Sequence, residues 1–146
     1  FVDLHEMNTE STYFFSPEAR PYNPHLAPSQ RQNLELFGRN NAKWFDRNGF
    51  PYFTREVYDA FYPGYGASWP SYYGAIAMTY ERGSARGLLA DRRKGPDFHY
   101  RDSVRQHFLA SIATAETAAV NRDKLWRDFR AYQESAVTEG RREPIR

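Results

Sequence analysis

The chain has 146 residues, 40% of them apolar and 26% charged, with no apolar run long enough to cross a bilayer, so it suits one globular core and hardly two. Its formal net charge of +2, with acids and bases interleaved, gives no basis for a nucleic-acid partner. The absence of cysteine excludes disulfides, thiolate metal sites and a cysteine nucleophile.

Phe1-Val2-Asp3-Leu4-His5-Glu6-Met7 reads as a buried strand that delivers a histidine, flanked by acids, at its carboxyl end. Open α/β sheets bind their ligands beyond the carboxyl ends of their strands. Ser16-Pro17, Arg20-Pro21 and Asn23-Pro24 then break regular structure, which predicts a loop over residues 8–28 that walls the site. Ser29-Gln30-Arg31-Gln32 is a capping-box pattern, and Leu34, Phe37, Trp44 and Phe45 recur near helical spacing, predicting a helix to about Arg47 that Asn48-Gly49 stops. Phe50–Phe53 is expected to be a short strand or extended segment, and Tyr62–Ser71 a Gly/Pro loop. Gly74-Ala75-Ile76-Ala77-Met78-Thr79-Tyr80 has strand length and composition and ends on Glu81. A second capping-box pattern at Ser103-Val104-Arg105-Gln106 opens a long helix. Its stripe of Val104, Phe108, Ile112, Ala115, Ala119 and later Leu125, Phe129 and Tyr132 is predicted to pack on the sheet. The segment from Glu139 reads as a linker, which divides the chain into one domain over 1–138 and a tail over 139–146.

A histidine and a carboxylate at the ends of two separate buried strands could share one metal-bound water. The alternatives are plain ones: His5 as a hydrogen-bonding residue, and Glu81 as a surface carboxylate paired with Arg82 or Arg86. Aromatic residues make up 17% of the chain; most are expected to pack, whereas the Tyr58–Tyr73 stretch suits a recognition surface. Three patterns look like sites and are dismissed. His99-Tyr100-Arg101-Asp102 has zinc-pair spacing but lies at a helix start, Asp46-Arg47-Asn48-Gly49 lacks the later glutamate of a calcium loop, and Gly83–Gly87 fits no phosphate-loop pattern. Glu6 and Glu10 lie near His5 in sequence with no role assigned.

Asp3-Leu4-His5, the later strand Met78-Thr79-Tyr80-Glu81, and between them Tyr62-Pro63-Gly64-Tyr65-Gly66-Ala67-Ser68-Trp69-Pro70 resemble, in this order, three segments of the zinc metallocarboxypeptidases, the family of carboxypeptidase A and its bacterial relatives. The resemblance spans most of the chain and falls in the carboxyl-terminal half of that family's catalytic domain. It implies an α/β fold with a mixed central sheet flanked by helices, present as an incomplete part of the domain. It implies one zinc ion with His5 as third ligand, and Glu81 as the general base that moves a proton from metal-activated water to the leaving amine. Tyr62 or Tyr65 would be the mobile substrate tyrosine, and Ser68 and Trp69 the pocket wall.

In that family the first two zinc ligands, a His-x-x-Glu motif, and the arginine and asparagine that clamp the substrate's terminal carboxylate lie well upstream. They are expected in a preceding part of the same protein, so the piece alone is expected to be inactive. The implied reaction is zinc-dependent hydrolysis of a C-terminal peptide bond, on a peptide with a free terminal carboxylate, in a periplasmic or secreted protein with no membrane or nucleic-acid partner. Two other readings stay open: a deacylase acting on acyl-amino acids, and a non-catalytic domain binding peptide or glycan on the same scaffold.

Overall fold

In the computed structural model, which describes residues 1–93 and 95–142, strand β1 (Val2–Met7) is followed by strand β2 (Tyr13–Phe14), helix α1 (Pro28–Arg47) and strand β3 (Tyr52–Phe53). A 3-10 helix (Trp69–Tyr73) leads to strand β4 (Met78–Gly83), an antiparallel pair β5 (Leu89–Ala90) and β6 (Phe98–His99), and helices α2 (Tyr100–Val120) and α3 (Arg122–Arg142). The four-stranded sheet has the order β1-β4-β2-β3 and is mixed: β1 runs parallel to β4, and β2 runs antiparallel to β4 but parallel to β3. The fold is therefore mixed α/β, with three α-helices among the described residues.

Strand alternation sorts the side chains. Tyr13, Met78 and Tyr80 point to one face, where they meet Leu34, Phe37 and Phe45 of α1 and Ala110 of α2 in the main core. Asp3, His5, Thr79 and Glu81 point to the other face and line a cleft. Phe45 is fully buried at the centre of the aromatic packing, with ring centroids at 4.7 Å from Tyr13, 5.3 Å from Phe15 and 6.0 Å from Tyr52.

One polar network sits inside this core. Asn41 Nδ2 donates to the Tyr80 hydroxyl at 2.9 Å, and that hydroxyl shares a 2.7 Å hydrogen bond with Thr114 Oγ1, joining β4 to both helices. Burial pushes the Tyr80 phenol up to about 12. Tyr80→Phe leaves the Asn41 amide and the Thr114 hydroxyl short of a buried partner. It is expected to cost about 1–3 kcal/mol in urea unfolding, and a loss below about 0.5 kcal/mol would show that the network contributes nothing.

The elements follow the expected order with several corrections. Helix α1 starts at Pro28 rather than Ser29, because the capping group is Gln30: its Oε1 accepts the Ala27 N–H at 2.9 Å. Likewise α2 starts at Tyr100, before Ser103, with Asp102 Oδ2 accepting the His99 N–H at 3.2 Å. That bond accounts for the His99-x-x-Asp102 spacing as helix capping. The predicted loop over 8–28 contains β2, whose two residues are strand only because β3 and β4 pair with them. The strand expected over 74–80 begins at Met78 and runs past Glu81 to Gly83, so Glu81 lies within the strand rather than at its end.

The single long helix is two, broken at Asn121, and its predicted buried stripe is wrong for α2. Val104, Phe108 and Ile112 are 49%, 62% and 40% exposed, and Ala115 and Ala119 are exposed too. The face that packs is Ser103, Gln106, Ala110, Ala113 and Thr117, because small side chains let α2 approach α1 and β4 closely. Asn40 Nδ2 of α1 reaches across that seam to the Ala113 carbonyl and Thr117 Oγ1, both at 2.9 Å. Leu125 and Phe129 of α3 are half-buried, and α3 is fastened chiefly by polar contacts: Lys124 Nζ donates to Asn33 Oδ1 (2.5 Å) and Asp128 Oδ2 (2.6 Å). It continues through Arg142, so residues 139–142 of the expected linker are helical, and 143–146 lie outside the described residues.

Candidate active site

His5 on β1 and Glu81 on β4 are direct partners in the parallel register, one strand spacing apart with side chains on the same face. Asp3, two residues back along β1, lies on that face as well. Its Oδ2 is 2.9 Å from His5 Nε2, which fixes the ring and, ahead of any other influence, raises the imidazole's affinity for a proton. Because Nε2 is engaged by the carboxylate, Nδ1 is the nitrogen left to bind a ligand. A histidine oriented by a carboxylate in this way is the usual arrangement of a metal ligand.

Glu81 is buried, and its Oε2 has no hydrogen-bond partner among the described residues. Burial holds its carboxyl above the usual carboxylate range, His5 pulls it back, and Asp3 raises it. Phe14, its antiparallel partner on β2, is fully buried on this same side against Phe53 and Tyr58, which supplies the apolar flank. No ion pair joins Glu81 to Arg82 or Arg86 among the described residues. Arg82 faces the opposite side, where its guanidinium lies 3.7 Å from the Phe98 ring centroid and donates to the Thr12 carbonyl at 2.8 Å.

The cleft around this pair has a volume of about 490 Å³. Tyr65 and Ser68, both expected at the site, line it together with His5 and Glu81. Tyr62 and Trp69 do not: the Tyr62 ring packs edge-on against Tyr65 at 5.3 Å, and Trp69 packs against Tyr73 at 5.6 Å, with both residues exposed. The 3-10 turn that begins at Trp69 buries Ser68 and leaves the indole outside. The turn is anchored from behind. Gln30 Nε2 donates to the Ser71 and Ala75 carbonyls at 2.7 and 2.9 Å, and the Tyr132 hydroxyl donates to the Tyr72 carbonyl at 2.9 Å. Gly74 closes the turn at φ 92°, where a Cβ would also meet Tyr132 and Phe129 at about 3 Å.

The opposite wall is formed by two loops laced together. The Ala19 N–H donates to the Tyr58 carbonyl at 2.7 Å, the Arg55 N–H to the Pro17 carbonyl at 2.8 Å, and Asn23 Nδ2 to the Phe61 carbonyl at 2.7 Å. This brings Glu18, Val57, Tyr58 and Asp59 into the cleft; Tyr58 opens the aromatic stretch expected to be a recognition surface, whereas Glu18, Val57 and Asp59 were not singled out by sequence reasoning. The prolines around Glu18 located the loop as a wall, but nothing local shows that an acid in it is buried. Glu6 and Glu10 point away from the cleft's lining, with Glu6 accepting from Ser84 Oγ and Glu10 from the Arg93 N–H. His107, on the core side, is bonded to the Tyr13 hydroxyl at 2.8 Å, and burial lowers its proton affinity.

Size does not select this cleft, since two cavities elsewhere are larger, at about 710 and 990 Å³. The first is walled mainly by apolar residues of β1, α2 and α3, the second is lined by Glu18 with Arg20, Arg31 and Arg55, and neither has a histidine among its described lining residues. Chemistry selects it. A zinc site needs three or four protein ligands, and among the described residues no three His, Asp or Glu side chains are grouped to hold a metal. The residues present fit one part of such a site: a single oriented imidazole and a partnerless carboxylate beside it.

Glu18 is 3% exposed, and burial raises its carboxyl above the ordinary value of 4.5. A carboxyl that binds its proton more tightly folded than unfolded makes the folded state hold more protons, so stability falls as pH rises from 4.5 through the raised value. Glu18→Gln removes this loss. It is expected to gain stability relative to the parent protein as pH rises, by about 1–3 kcal/mol at the alkaline end. Paired thermal melts across that range would show no pH-dependent difference if Glu18 were in fact compensated.

No family model, curated protein or solved structure matches the chain. The class the fold and cleft define is thus a mixed α/β domain with an acidic cleft built around one oriented histidine. No described helix is long and apolar enough to cross a membrane.

Proposed function

We propose that the chain is the carboxyl-terminal half of the catalytic domain of a zinc-dependent hydrolase that removes the last residue of a peptide. The observation that carries this reading is the His5–Glu81 register pair, with Asp3 holding the imidazole and the Tyr65–Ser68 loop closing the same cleft. His5 would hold the metal through Nδ1, with two further ligands from a preceding His-x-x-Glu segment of the same protein. Zinc, when bound, supplies a Lewis acid that polarises the scissile carbonyl and makes water acidic near neutrality.

The remaining work falls to this chain's own side chains. Glu81 accepts the proton of the attacking water and passes it to the departing amine. Tyr65 lies along the cleft to cover the bound peptide, and Tyr62 packs against it. The free terminal carboxylate would be clamped by cationic groups from the preceding segment, since no lysine or arginine is among the described residues lining this cleft.

An anomalous-difference map across the zinc edge, on crystals of the intact protein grown without chelator, tests this directly. A peak at coordination distance from the His5 ring, joined by a histidine and a glutamate of the preceding segment, is the expected result. An ordered His5 with no peak after zinc soaking would overturn it. A second reading, a non-catalytic peptide- or glycan-binding domain, is favoured by the exposed Tyr62, Tyr65, Trp69 and Tyr73 rings, and predicts ligand binding that chelators do not affect. A deacylase of acyl-amino acids shares the hydrolytic chemistry and differs in the clamp.

A further inference from the structure

We propose that Arg82 is a positioning residue, which fixes where Glu81 stands relative to His5 by tying the β1–β2 connection to the end of β4. This rests on the hydrolase reading and adds to it a residue outside the cleft. Arg82 follows Glu81 on β4, so its side chain leaves the sheet on the opposite face, where it is 3% exposed. Its Nη1 donates to the Thr12 carbonyl at 2.8 Å and to the Ser11 carbonyl at 3.1 Å, and its guanidinium packs on the Phe98 ring.

The tie matters because the main chain holds this corner by few bonds. β2 meets β4 through two residue pairs, Tyr13 with Arg82 and Phe14 with Glu81, and so short a ladder is marginal by itself. Beyond the ladder, the Gly83 N–H donates to the Thr12 carbonyl at 3.2 Å and the Ser84 N–H to the Met7 carbonyl at 3.0 Å. Met7 ends β1 two residues past His5, and Thr12 directly precedes β2, whose Phe14 flanks Glu81. The Arg82 guanidinium thus acts where the strands carrying His5, Glu81 and Phe14 converge. Glycine at position 83 permits the close approach, since a Cβ there would stand 2.5 Å from the Ser11 carbonyl oxygen.

Arginine is a costly residue to bury here. Among the described residues no carboxylate forms an ion pair with it. Burial, aided by the neighbouring Arg92 charge, pushes the guanidinium down to about 10, so it stays charged at neutral pH. A methionine could pack beneath Phe98 without taking a charge out of water. What methionine lacks is the donors: a guanidinium holds two consecutive carbonyls while packing on a ring. Arg92 supplies the comparison. Its Nη2 donates to the same Ser11 carbonyl at 3.0 Å and its guanidinium lies 4.5 Å from the same Phe98 centroid, but it belongs to the loop between β5 and β6. Both arginines support the turn, and Arg82 alone joins it to the strand of Glu81.

The test uses the full-length, zinc-loaded protein with Arg82→Met, Arg82→Lys and Arg92→Met. In Arg82→Met, kcat for a blocked peptide is expected to fall about 10- to 100-fold, because a shift of about 1 Å at a reacting group suffices for such a loss, with KM and zinc content within about twofold of the parent protein. Arg82→Lys keeps a donor and is expected to recover at least about threefold of that loss. Arg92→Met is expected to keep kcat within about threefold. Equal losses in Arg82→Met and Arg92→Met, or a change carried wholly by KM, would make Arg82 a general support and overturn the assignment with the hydrolase standing.

Hydrogen exchange at the Phe14 and Glu81 amides reads the same corner without turnover, and Arg82→Lys serves if Arg82→Met does not fold. Exchange is expected to quicken about 10-fold in the Arg82 variant and to stay unchanged in Arg92→Met. Quickened exchange in a protein that hydrolyses no peptide overturns the hydrolase and keeps Arg82 as the residue that positions Glu81. Unchanged exchange together with no hydrolysis overturns both.

Discussion

Glu81→Gln is expected to lower kcat/KM for peptide hydrolysis by about 10²- to 10⁴-fold, the usual contribution of a positioned proton acceptor, with the fold and the zinc content unchanged. The amide has the shape of the carboxylate and cannot take a proton. Glu81 is buried on the cleft face, and among the described residues its Oε2 is without a partner and no arginine or lysine pairs with it, so the substitution breaks no ion pair there. His5 and Glu81 are strand partners, which makes the position of the carboxylate a property of the sheet rather than of a loop. The acid limb of the pH–kcat/KM profile should disappear with the substitution. Activity within a factor of a few of the parent protein would remove Glu81 from the chemistry, whereas loss of zinc as well would reassign it to holding the site together.

Phe45→Ala is expected to destabilise the protein by about 3–5 kcal/mol in urea unfolding, the largest stability effect of any single truncation proposed here. Phe45 is fully buried and touches Tyr13, Phe15, Phe50 and Tyr52 with ring centroids between 4.7 and 6.0 Å. Those rings come from β2 and β3 and from the segments beside them, so they cannot collapse together into the space left behind. Phe108→Ala serves as the comparison. Phe108 belongs to the stripe that periodicity marks as buried, yet it is 62% exposed, and its loss should stay within about 0.5 kcal/mol. Equal effects at the two positions would mean that this face of α2 is covered in the intact protein.

What could be read along the chain was whatever depends on near neighbours. Asp3-Leu4-His5 and Thr79-Tyr80-Glu81 share strand periodicity, and alternation alone places Asp3 with His5 and Thr79 with Glu81 on one face. Helix α1, its stop at Asn48-Gly49, and the Gly/Pro loop carrying Tyr65 and Ser68 follow from local spacing and turn chemistry. Even here the caps slipped, because Gln30 and Asp102 cap positions that serine spacing does not mark.

Long-range packing settled the rest. The face of α2 that packs is decided by how near α1 and β4 come, and Ala110 and Ala113 allow an approach that Phe108 and Ile112 would prevent, so small size outweighed hydrophobicity. Tyr65 rather than Tyr62 lines the cleft because the 3-10 turn is pinned by Gln30 and Tyr132, residues tens of positions away. Glu18 is buried only because its loop is bonded to residues 55–61, and its unpaired oxygen exists only once that wall is assembled. Periodicity and turn residues record a chain's local conformational preferences. Burial and unmet hydrogen bonds belong to pairs of segments, and no segment carries them alone.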